Sequence, residues 1–115
     1  MNKLLKYWQK KLNLQDWKIV MEDNCPVNDF IMKSVQGETE WDIVNKSAII
    51  RIISESEYGK RILPFIKEKV LIHELLHIKF ALLWESNTKT QNLILHQIIE
   101  DMANTLYEVR MEKKK

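Results

Sequence analysis

One stretch constrains this chain more than any other. Between Val70 and Leu83, two histidines and a glutamate, His73, Glu74 and His77, are set among Val70, Leu71, Ile72, Leu75, Leu76, Ile78, Phe80, Ala81, Leu82 and Leu83. A helix that is apolar nearly all round is a buried helix. Two imidazoles and a carboxylate on such a helix need partners, because an unpaired buried polar group costs about 1–3 kcal/mol. His73 and His77 are four residues apart, so they project from one face, a turn apart. The rest of the fold must wrap this helix and bring something to meet the two rings.

A metal ion is the economical partner. Two imidazoles so placed can hold one tetrahedral zinc ion. Glu74 follows the first histidine and is placed to act on a metal-bound water as general base, not to ligate. The simpler account, satisfied core histidines, has to explain why two of only three histidines in 115 residues fall here. The third, His96, lies on the last expected helix, which one short loop folds back antiparallel to the first. A catalytic zinc takes three protein ligands and keeps one open position, so the expected ligands of Zn2+ are His73, His77 and His96. Glu100, four residues after His96, is placed to accept a hydrogen bond from a ligand imidazole. The rival assignment makes Glu100 the ligand and His96 its neighbour.

The remaining pattern predicts a helix over 2–13 with Leu4, Leu5, Trp8 and Leu12 on one face, ended by Asn13. A strand follows over Trp17–Met21, then a loop over Asn24–Asp29. Val35, Trp41, Ile43 and Val44 suggest a second strand, with Gly37 marking a bulge or bend. Asn45-Lys46 is the expected turn, and Ala48–Ile53 the third strand. Ser54–Lys60 reads as a loop. Pro64 sits in the first turn of the motif helix, which is expected to run to about Leu83. Trp84–Thr90 would then connect to a last helix over about Gln91–Met111. The order is α+β: one domain over residues 1–115, with a small antiparallel or mixed three-stranded sheet covered by helices.

Composition excludes little and is consistent with this. Net charge is +2, with much of the excess in Lys113, Lys114 and Lys115, a tail that is expected to be solvated. No basic patch points to nucleic acid. No apolar stretch reaches membrane-span length, and one cysteine, Cys25, suits a reducing compartment. A soluble, cytoplasmic protein is the expectation. Cys25, beside Pro26, is also a conceivable inhibitory thiolate for the zinc. Trp8, Trp17, Trp41 and Trp84 read as core anchors.

With His-Glu-Leu-Leu-His, the Trp17 strand, the Ala48–Ile53 strand and the closing helix around His96-Gln97-Ile98-Ile99-Glu100 in view, the chain resembles a small zincin. It is similar to minimal gluzincin-like proteins and short metallopeptidase-like proteins of phages and prokaryotes. It departs from gluzincins in one respect: His96 fills the position where they place a glutamate ligand. Three-histidine sites occur in SprT-like zincins. Ile78–Leu83 lacks the glycine and histidine of metzincins. The resemblance implies a zinc metallopeptidase acting on a peptide or protein substrate through a zinc-activated water, with Glu74 as base. The alternative is a non-catalytic, zinc-stabilised binding or regulatory module. The resemblance also implies an oxyanion donor, for which Tyr58, Tyr107 and Arg110 are the candidates. It implies too that one sheet edge pairs with an extended peptide. Gly37–Ile43 is a candidate edge, although Glu38, Glu40 and Asp42 are more simply solvent-facing acids that protect it.

Overall fold

The structure is a computed structural model that describes residues 2–31, 36–58 and 64–114. It opens with helix α1 (Asn2–Lys11), which buries Leu5 and Trp8. Asn13, at φ 57°, turns the chain out of the helix, the left-handed position that asparagine tolerates after a C-terminus. Strand β1 (Lys18–Cys25) leads through a short 3-10 turn (Val27–Asp29) to β2 (Gly37–Asp42) and β3 (Ser47–Ile53). A single turn, α2 (Glu55–Tyr58), precedes α3 (Lys67–Lys79), α4 (Ala81–Ser86) and the long α5 (Lys89–Lys113).

The sheet is mixed, in the order β1-β3-β2. β3 lies in the middle, parallel to β1 and antiparallel to β2. Its sequence, Ser-Ala-Ile-Ile-Arg-Ile-Ile, explains the place: a strand paired on both sides and covered on one face needs apolar side chains nearly throughout. Ala48, Ile50 and Ile52 point at the helices and are buried. Both neighbours are edge strands, and both carry charge on the opposite face. The β2–β3 hairpin closes at Ile43–Lys46, with Lys46 at φ 49°. Asp42 accepts hydrogen bonds from the backbone N–H and side chain of Asn45 in this turn.

Helix α3 is the hub. It packs against α5, β2, β3, α1 and α4, and Leu71, Ile72 and Leu75 are fully buried. Gly37 makes this possible at the sheet. A Cβ there would stand 2.7 Å from Val70 Cγ1 and 3.1 Å from the Arg51 carbonyl. The glycine therefore marks a close approach of β2 to α3, not the bulge or bend expected. A second, smaller cluster of Cys25, Phe30, Ile53 and Tyr58 sits at the other end of the sheet.

Several boundaries differ from the sequence expectation. β1 runs on to Cys25 because Glu22 and Cys25 pair with Arg51 and Ile53 across a register shift. Asn24 is at φ 54°, so the expected loop over Asn24–Asp29 starts later. Ile43 and Val44 belong to the turn, and Val35 lies outside the described residues. The Ser54–Lys60 segment contains α2, with Gly59 and Lys60 outside the described residues. Pro64 precedes α3 rather than lying within it. The motif helix ends at Lys79, where Phe80 (φ −104°, ψ 15°) interrupts it. Trp84–Thr90 is largely helical: α4 reaches Ser86, and Thr88 caps α5. Leu82 and Leu83, expected inside, are exposed because they fall beyond the break. Among the described residues no helix is long and apolar enough to cross a membrane.

Candidate metal centre

The antiparallel packing of α3 on α5 brings all three histidines together. One ring nitrogen from each of His73, His77 and His96 lies within 4.8 Å of the others. The Nε2 atoms of His73 and His77 are 3.2 Å apart. Two nitrogens bound to one tetrahedral zinc at about 2.0–2.1 Å stand about 3.3–3.4 Å from each other. The pair is therefore at ligand spacing without rearrangement. The ring of His96 is 4.9 Å from that of His73 and 5.7 Å from that of His77, close enough to contribute the third nitrogen by a side-chain rotation.

The surroundings favour uncharged rings. Burial, then the neighbouring His73 and His96, push the pKa of His77 down to about 3. Burial also lowers that of His73, against the opposing pull of Glu100. Neutral imidazole is the form that ligates. Glu100 Oε2 lies 2.7 Å from His73 Nδ1; that contact holds the proton on Nδ1 and turns the Nε2 lone pair toward His77. Of the two roles weighed for Glu100, this geometry is that of the carboxylate behind the ligand. Trp84 packs edge-on against the His77 ring at 5.0 Å.

Glu74 faces the sheet. It is 5% exposed and its Oε1 accepts a 2.8 Å hydrogen bond from the Thr39 hydroxyl of β2. Burial raises its pKa to about 7, opposed by the Thr39 bond and aided by the charges of Glu38 and Glu100. Glu74 is thus poised to exchange a proton near neutral pH. Thr39 is the site residue that sequence reasoning missed. Its alternation with Glu38 and Glu40, which face outward, could place it on the inward face of β2, but nothing local ties it to Glu74.

Other expected participants lie elsewhere. Tyr107 is 11 residues beyond His96, about 16 Å along the helix, and Arg110 about 21 Å. The Lys69 ammonium sits over the Tyr107 ring. Arg110 pairs with Glu68, which also accepts from Trp8 Nε1 at 2.7 Å. Tyr58 packs on Phe65 in the second cluster and bonds Gln36. Neither Tyr107 nor Arg110 reaches the histidines. Cys25 is buried in the second cluster, its Sγ 3.9 Å from Asp29, with its pKa raised by burial. It is not among the grouped ligands.

The acids of β2 are not simply solvent-facing. Glu38 is 9% exposed; it accepts from the Ile31 amide and from Arg51, which also pairs with Glu40 and Glu22. Two surface hollows lie away from the histidines, one on the outer sheet face around Val20 and Ile49, the other on α5 around Met102.

Comparison with protein-family models, with curated proteins and with solved structures returns no match.

Proposed function

We propose that this chain is a zinc-dependent metallopeptidase of zincin-like build, with His73, His77 and His96 as ligands of Zn2+ and Glu74 as general base. The observation that carries the proposal is the convergence of every histidine in the chain on one point, with Glu74 next to His73 along the same helix. A zinc ion held there would polarise a peptide carbonyl and lower the pKa of a water molecule at its open position. The chain's own residues do the rest. Glu100 orients His73, Thr39 holds one oxygen of Glu74, and the other oxygen takes up and returns the proton. The β2 edge, whose inward residue Thr39 touches Glu74, is the natural place for an extended peptide to pair. The single, buried cysteine suits a reducing, cytoplasmic setting.

One observation favours a second reading. Glu74 is almost fully buried, and a base has to meet water and substrate. The alternative is a zinc-stabilised binding or regulatory module in which the metal contributes folding energy.

Incubation of the zinc-loaded protein with fluorescently labelled casein separates the two. The first reading expects cleavage by the parent, and zinc retention without cleavage in Glu74→Gln. A Glu74→Gln variant that cleaves like the parent removes the base role. A fully zinc-loaded parent that cuts nothing, and that unfolds on chelation, establishes the second.

A further inference from the structure

Helix α5 shows a second feature that the metal centre does not use. Ile94, Ile98, Met102 and Val109 are exposed, at 58%, 46%, 36% and 45%. With Thr105 they form one stripe at spacings of four, four, three and four. At about 100° per residue, each of these side chains lies about 120–180° around the helix from His96. The buried face, Leu95, Ile99 and Ala103, lies on α3. The stripe is therefore on the flank away from the histidines, and the hollow between Asp101, Met102, Thr105 and Leu106 sits within it.

We propose that this stripe is a homodimer interface, in which α5 pairs antiparallel with α5 of a second copy about a two-fold axis next to Met102. The stripe is self-complementary about its middle: Ile94 falls opposite Val109, and Ile98 opposite Thr105, as an isologous contact requires. Charge sets the direction. Parallel pairing would lay Asp101, Glu108 and Glu112 along their own copies. Antiparallel pairing carries Glu108 to the level of uncharged Leu95 and Gln97, and Glu112 to that of Gln91. There the positive end of the partner's helix dipole favours a carboxylate. Only Asp101 stays close to its copy.

Area sets the strength. The four apolar side chains expose about 300 Å², which at an apolar share of about 60% corresponds to about 500 Å² per copy and about 1,000 Å² in total. That is the low end for a specific interface, the size of a weak, transient dimer. The His73–His77–His96 group stays open in both copies.

Sedimentation equilibrium of the full chain, from low micromolar to millimolar concentration, tests this. The mass is expected to rise from 13.8 kDa toward twice that value. Ile98→Glu and Met102→Glu are expected to remain monomeric throughout, with unchanged circular dichroism. Leu93→Glu, on the histidine side of α5, is expected to associate like the parent. A mixture of Ile94→Cys and Val109→Cys chains is expected to oxidise to the mixed disulfide in preference to either symmetric one. A parent that stays monomeric at millimolar concentration overturns the proposal, whatever other protein covers this face. So does association that survives both stripe substitutions, or a dominant disulfide between two Ile94→Cys chains.

Discussion

Replacing Glu74 with glutamine changes one atom type and removes one charge. The amide keeps an oxygen for the Thr39 hydroxyl, so the 2.8 Å bond has an acceptor in both proteins. The carboxyl titrates at about 7 in the folded chain against an ordinary value of 4.5. Burial is the main cause, so the charged form is the one the fold penalises. A raised folded-state pKa of this kind contributes stability below pH 4.5, and that contribution is lost as pH rises to about 7. At about 1.36 kcal/mol per pH unit, the gap amounts to about 3 kcal/mol. Glu74→Gln should therefore match the parent near pH 4 and exceed it by up to about 3 kcal/mol at pH 8. Urea denaturation of the chelator-treated proteins across that range measures the difference. For a denaturant slope of about 1.5 kcal/mol per molar, the midpoint of the variant rises by about 2 M at the alkaline end. Taking the difference between the two proteins cancels titrations they share, including that of His77. A difference that stays flat between pH 4 and pH 8, or that favours the parent at pH 8, refutes the argument that Glu74 is held buried and charged at cost.

Two further outcomes follow from the same packing. Gly37→Ala places a methyl group 2.7 Å from Val70 Cγ1 and 3.1 Å from the Arg51 carbonyl, and should cost about 1–3 kcal/mol, read as a lower thermal midpoint. The depressed pKa of His77, about 3 against 6.5, has the opposite sign to that of Glu74: its stability contribution is present above pH 6.5 and lost as pH falls toward 3. His77→Gln should therefore narrow its deficit to the metal-free parent as pH drops through that window, and a deficit independent of pH would contradict the burial of a neutral ring.

The centre of this fold was legible in the sequence, and its edges were not. Val70–Ile78 announces a buried helix because every position outside His73, Glu74 and His77 is apolar, and three histidines in one short chain leave few ways to satisfy two of them. The end of that helix was hidden, since Phe80 to Leu83 continue the apolar pattern across the break and only the tertiary structure exposes Leu82 and Leu83. The start of α5, expected at about Gln91, lies at Lys89; the reciprocal capping box Thr88-x-x-Gln91 that sets it was a signal sequence reasoning passed over. Asp23 and Asn24, just before the end of β1, are poor strand formers; the pairing of Glu22 and Cys25 with β3 on either side of the register shift carries them. Thr39 and Glu74 are 35 residues apart, and no local pattern links them. Glu38 has a strand-edge look too, yet the Ile31 amide, only 7 residues away, and Arg51 of β3 both bond its carboxylate.

Zinc titration of the parent and of single substitutions tests the central claim most directly, with bound metal counted by elemental analysis. The account predicts one zinc per chain for the parent. His73→Ala, His77→Ala and His96→Ala should each lose it, while Glu100→Ala should still bind with affinity lowered about 10–100-fold. A parent that takes up no zinc, or a His96→Ala chain that binds it as tightly as the parent, would contradict the account.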